Sequence, residues 1–149
     1  MLQPYLNRAV AVAALAAVMV GCLIPLNKVD AQGTTEFTLR KKVTQFLAMF
    51  QKGLPPSKES DTSIKFVDLN GDGIPEALVI INDPQWCGSH GCSAFVLDLR
   101  GPAAKDIGDF TAFDLQPLSA QTRGWRDISV IGTSVMGKNR VRFNGRVYD

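Results

Sequence analysis

The chain has 149 residues, of which 46% are hydrophobic and 20% charged, and a formal net charge of +2. That length suits one domain, and the balance excludes a disordered chain. Near-neutrality gives no signal for a polyanionic partner, so nucleic acid is not expected.

The chain begins with a leader. Residues 1–8 carry one positive side chain, Arg8, and Ala9 to Ile24 is an uncharged run rich in Ala, Val, Leu and Met. This is the layout of a secretory h-region, shorter than the roughly 20 apolar residues that span a bilayer. Pro25 ends it ahead of the polar Asn27, Lys28 and Asp30. Two processing outcomes compete. Val29-Asp30-Ala31 suits cleavage after Ala31, making residues 1–31 a signal peptide and 32–149 a single α+β domain, periplasmic or secreted. Met19-Val20-Gly21-Cys22 resembles a lipobox, which implies a chain lipid-anchored through Cys22, and an uncleaved signal would anchor it too; otherwise no membrane partner is expected.

After Thr34 and Thr35, which can cap, Phe37, Val43, Phe46, Leu47 and Phe50 recur near helical spacing. Arg40, Lys41, Lys42 and Gln45 take the other face, so an amphipathic helix is expected up to Gly53. Its stripe can pack on a sheet or meet a membrane or partner. A breaker-rich linker, residues 55–60, follows.

From Ser63 the pattern changes to short β runs. Ile64 to Val67 and Ala77 to Ile81 flank Asp68-Leu69-Asn70-Gly71-Asp72-Gly73-Ile74-Pro75-Glu76, and Ser93 to Leu99 is a third strand. Weaker runs occupy residues 107–113 and 114–118, and Ile128 to Ile131 is another strand. Arg140 to Tyr148 reads as a hairpin turning on Asn144-Gly145, a type I′ signal. Without a long helix after Gly53, parallel crossovers are not expected. The expected fold is α+β: one N-terminal amphipathic helix on an antiparallel, meander-like sheet.

The stretch from Asp68 to Glu76 specifies chemistry. Carboxylates at Asp68, Asp72 and Glu76, the amide oxygen of Asn70 and the backbone carbonyl of Ile74 form an all-oxygen set suited to a hard cation. Counted from Asp68, the positions match the first half of an EF-hand loop, with Gly73 at the sharp turn. Position 12 is Val79 rather than the bidentate Glu, and strands flank the loop, so it is not an EF-hand. A tight Asn/Asp/Gly turn that binds nothing accounts for the same residues by backbone preference alone. Three carboxylates in one short loop repel one another without a cation, which favours Ca2+.

This Asp-x-Asn-x-Asp-Gly-x-x-Glu form resembles the calcium loops of FG-GAP and integrin-type propeller repeats, which implies that Glu76 completes the site between two strands. One copy cannot build a propeller, so that fold and its adhesive role do not transfer. With Cys87-Gly88-Ser89-His90-Gly91-Cys92, Gly124 to Ile128 and Arg142 to Tyr148, the layout resembles a group of small, uncharacterised exported proteins of Gram-negative bacteria. No activity comes with that group.

Three cysteines are present. Apart from Cys22, Cys87 and Cys92 remain, and export favours a disulfide between them. His90, the only histidine, stands at the tip of that ring. Zinc on Cys87, His90 and Cys92 lacks a fourth ligand. A Ser89 and His90 nucleophile pair is disfavoured, because adjacent residues rarely point at each other. The ring faintly resembles the His-bearing, Cys-bounded loop of one type of periplasmic lysozyme inhibitor, which implies a recognition loop. An ordered surface loop with an exposed His is the simpler reading. Trp86 and Trp125 could flank one binding surface or cover core edges. Lys138, Arg140, Arg142 and Arg146 make a basic hairpin face.

Two function classes stand against each other. One is a non-catalytic calcium-binding module that recognises an envelope protein or glycan through His90, Trp86 and Trp125. The other is a small hydrolase with an acid/base pair among Asp98, Asp106, Asp109, Asp114 and Asp127.

Overall fold

The computed structural model describes residues 27–132 and 140–149. The leader, with Cys22 and its lipobox-like neighbours, and Lys138 lie outside them. About 20% of the described residues are helical and 46% are strand, the strands antiparallel, so the fold is broadly α+β.

Helix α1, Asn27–Phe50, begins upstream of the expected caps. Thr34 and Thr35 therefore lie inside it, and so does the expected cleavage position after Ala31. The buried face is Leu39, Val43 and Leu47, with Phe46 packed against the same cluster. Phe37, expected in that stripe, is 71% exposed, and Leu39 takes its place one half-turn on. Gln51, buried just past the helix end, donates through Nε2 to Ser57 Oγ at 2.7 Å and so fastens the linker.

The strands are β1 (Thr62–Val67), β2 (Glu76–Ile81), β3 (Cys87–Gly88), β4 (Gly91–Asp98), β5 (Lys105–Ala112), β6 (Asp114–Thr122), β7 (Trp125–Ile131) and β8 (Arg140–Val141). One sheet runs β1-β2-β4-β3 with β5 on the other edge of β4, and a second runs β6-β7-β8. Along β2 the side chains alternate as the pleat requires. Ala77, Val79 and Ile81 join the helix side, while Leu78 and Ile80 face Leu115, Ile128, Val130 and Val141 of the second sheet. Both faces of the first sheet are thus covered, in the order helix, sheet, sheet, and all six residues of β2 are buried.

Turn chemistry differs from expectation at one hairpin. At Asn144 and Val147 the chain bonds across Gly145-Arg146, and of those two only Gly145 has positive φ, so Asn144-Gly145 is not the type I′ pair. Asn144 acts through its side chain, whose Oδ1 accepts from the N–H groups of Arg146 and Val147. Two positive-φ residues occur together instead at Arg123 (55°) and Gly124 (81°), where β6 turns into β7.

Cys87 and Cys92 are disulfide-bonded across the β3–β4 pair. Gly91, beside that bond, has φ 132°, and a Cβ there would meet the Ala112 backbone at 2.7 Å. Gly91→Ala is expected to destabilise by ~2 kcal/mol or more from strain and crowding, measurable as a lower urea midpoint.

Candidate metal centre

The loop between β1 and β2 is placed by the pairing Val67↔Glu76. It turns on itself through its own acidic side chains. Asp68 Oδ1 accepts from the N–H groups of Asn70 (3.3 Å) and Gly71 (2.7 Å), and Oδ2 accepts from Gly73 N–H at 2.9 Å. These bonds, that of Gly73 foremost, hold the Asp68 carboxyl below its ordinary range. Asn70 Oδ1 accepts from Asp72 N–H and Asp72 Oδ1 from Ile74 N–H, each at 2.8 Å. The expected sharp turn is at Gly73, with φ 83°.

Glu76 opens β2 with no exposed surface, on the face between the two sheets. Its Oε2 accepts from Leu69 N–H at 2.9 Å. Its Oε1, at the loop's end, and Asp72 Oδ2, at its middle, converge on one atom, the Asn70 amide nitrogen, at 3.3 and 2.9 Å. Burial first, and then the negative charges of Asp72, Asp98 and Asp68, push the Glu76 carboxyl up to about 7, against the pull of the Leu69 N–H. The loop is fixed to the second sheet by Arg126 N–H donating to Leu69 O at 2.7 Å.

Among the described residues, no three His, Cys, Asp or Glu side chains are gathered tightly enough to hold a metal ion as they stand. Local bonding gives the reason: Asp68 is turned onto backbone N–H groups, and the Asn70 amide presents its nitrogen to two carboxylates. Rotating that amide by half a turn would add an oxygen to theirs and give up the bond from Asp72 N–H. The donor set is all oxygen and fits a hard cation such as Ca2+. Ile74, whose carbonyl was assigned to the set, is exposed at the loop's outer end.

Sequence reasoning missed Asp98 and Arg100 as neighbours of this loop. Arg100 forks onto Asp98, with Nε to Oδ1 at 3.0 Å and NH2 to Oδ2 at 2.6 Å, and its NH1 lies 3.7 Å from Asp72 Oδ2. The Arg100 bond holds the Asp98 carboxyl below its usual range despite burial. No local pattern links residue 100 to residue 72; strand pairing brings them together.

The remaining predicted residues do not share one place. Trp86 packs on Phe50, ring centroids 5.3 Å apart, on the helix side of the first sheet. Trp125 stacks on Phe143 at 4.3 Å within the cluster between the sheets. They lie on opposite faces of the first sheet, not along one surface. His90 is exposed at the tip of the disulfide turn, over a shallow hollow lined also by Gln85, Trp86, Ser93 and Thr111. Ser89 Oγ and His90 Nδ1 are 3.0 Å apart, a contact their adjacency argued against, in a spot open to water. With both cysteines in the disulfide, they are not free for zinc.

Most of the aspartates considered for acid/base work are paired. Asp98 is held by Arg100, Asp114 by Lys65 at 2.5 Å, and Asp127 by Arg140 and, at 3.8 Å, Arg142. Asp127 is fully buried, yet the bonds from Thr122 and Arg140 outweigh that burial and keep its carboxyl low. Asp106 accepts from Gly108 N–H at 2.8 Å, and burial pushes Asp109 up, aided by the charge of Asp106. Two tail arginines thus neutralise a buried carboxylate rather than forming a free basic face.

Among the described residues, no helix is long and apolar enough to cross a membrane. No protein-family model, curated protein or solved structure matches the chain.

Proposed function

We propose that the protein is an exported, non-catalytic calcium-binding module in which Asp68, Asn70, Asp72, Glu76 and the Ile74 carbonyl hold one Ca2+ and close the β1–β2 hairpin. The observation that carries this reading is Glu76: a fully buried carboxyl whose Oε1 shares a convergence point with Asp72 Oδ2. Burying a carboxylate beside others is costly unless a cation compensates it. Bound there, Ca2+ would supply that charge and fix the strand register of the loop. The Cys87–Cys92 disulfide supports export to an oxidising compartment, the periplasm or beyond. The disulfide turn, with His90 exposed and Trp86 beneath it, is the part offered to an envelope protein or glycan. Trp125, packed between the sheets, serves the core.

The test is a thermal melt of residues 32–149 in chelator and across a calcium series, beside Asp72→Ala. Calcium at about 100 times its dissociation constant is expected to stabilise the fold by ~2.7 kcal/mol, moving the midpoint by on the order of ten degrees. Asp72→Ala should abolish the rise. A midpoint indifferent to calcium would reduce the loop to a turn and end this reading.

A further inference from the structure

The loop has a fixed cation beside it. Arg100 follows β4 and is forked onto Asp98, which also receives the Arg100 N–H at 3.0 Å. Its guanidinium lies 5.4 Å over the Trp125 ring. From the far side of the sheet, Lys42 Nζ donates to Leu99 O and Gly101 O, both at 2.7 Å, so the backbone on each side of Arg100 is held. The side chain therefore has two anchors, Asp98 and Trp125, on a held backbone before it reaches Asp72, and its NH1 sits 3.7 Å from Asp72 Oδ2. That oxygen is one of the two that converge on Asn70. A permanent positive charge thus stands against a ligand oxygen of the proposed site.

We infer that Arg100 is an intramolecular counter-ion that competes with Ca2+ for Asp72 and so sets the affinity of the loop. This rests on the loop being a calcium site. Without the ion, Arg100 neutralises Asp72 and supports the folded loop. When Ca2+ binds, Asp72 Oδ2 turns to the metal and the guanidinium keeps its fork on Asp98 and its place over Trp125. Like charge at this range weakens binding even in water-like surroundings, and the effect is screened by salt. Arg100 is a positioning residue: it touches a ligand and not the ion.

Calorimetric titration with CaCl2 is compared for the wild type, Arg100→Met and Arg100→Lys at low and high salt. Met keeps an apolar stem over Trp125 and removes the charge; Lys keeps the charge. The expected result is calcium binding about five-fold tighter in Arg100→Met, a gap that narrows in high salt, with Arg100→Lys close to wild type. Arg100→Met should also melt lower than wild type in chelator. A purely structural role would lower that melt without tightening calcium, so wild-type or weaker affinity in a folded Arg100→Met overturns the inference while the calcium site stands. If Arg100→Met does not fold, Arg100→Gln takes its place in the same salt series; affinity should fall less steeply with salt in wild type and Arg100→Lys than in the neutral variant, and equal slopes overturn the inference too. No binding in any variant removes both the site and the inference.

Discussion

Replacing Phe95 with alanine is expected to cost about 3–5 kcal/mol, a large part of the stability a domain of this size commands. Phe95 is 1% exposed at the centre of β4. Its ring meets Phe46 and Phe50 edge-on, at centroid distances of 5.4 and 4.7 Å, and so joins helix to sheet. The hole cannot collapse easily, because the strand is flanked by β2 and β5 and covered on both faces. Urea denaturation checks this, with Phe37→Ala as the contrast. Phe37 lies in the expected stripe but on the exposed side of α1, and its loss should change stability by no more than about 0.5 kcal/mol. Equal costs at the two positions would mean that the helix buries a different face.

The second large effect is a fall in stability with rising pH in the absence of metal. The Glu76 carboxyl is raised from 4.5 to about 7 by burial, assisted by the charges of Asp72, Asp98 and Asp68. An unfolded chain loses this proton near its ordinary pKa, whereas the folded chain keeps it until about 7. Between those values the folded state holds a proton that the unfolded state has released, so stability is full below the lower value and declines through the window. Above it the loss levels off at about 3 kcal/mol. Urea melts in chelator at about pH 5 and about pH 8, for the wild type and Glu76→Gln, isolate the contribution, since other carboxylates add slopes common to both proteins. The wild type should lose more than the variant over that interval. Parallel slopes would show that Glu76 is not the group responsible. Under the proposed function, saturating calcium restores the wild type at the higher pH, because the ionised form is the one that binds.

What the sequence revealed was local. The spacing from Asp68 to Glu76 identified a strand-to-strand loop, because the Asx-type bonds that shape it join residues two to five apart. Short apolar runs between turn residues located the strands, since a strand covered on both faces, as β2 is, reads as continuous hydrophobic sequence. The helix start was misjudged because Thr34 and Thr35 suit a cap locally, while α1 continues upstream to Asn27. Choosing Phe37 over Leu39 followed hydrophobic bulk, but burial depends on which side of the helix meets the sheet. The Arg100 contact was hidden for a different reason. It joins the end of β4 to the loop before β2 through the antiparallel register Ala77↔Leu97, which one-dimensional spacing does not encode. The two tryptophans are apart because Trp86 packs on the helix side of the first sheet while Trp125 belongs to β7 of the second.

The way the strands are joined has a bearing on how the molecule assembles. Each long strand pairs with its chain neighbour, except that β2 meets β4 across the short β3, so the first sheet can grow by successive short loop closures. Hairpins of this kind form in roughly microseconds. The last residues of the chain tie back to both sheets: Tyr148 N–H donates to Ile107 O at 2.7 Å and Tyr148 OH to Arg126 O at 2.8 Å. Until Tyr148 arrives, β5 and β7 present unsatisfied carbonyls and an apolar face between half-joined sheets. The C-terminal residues therefore latch the β5 edge of the first sheet to β7 of the second, a closure that no single hairpin supplies.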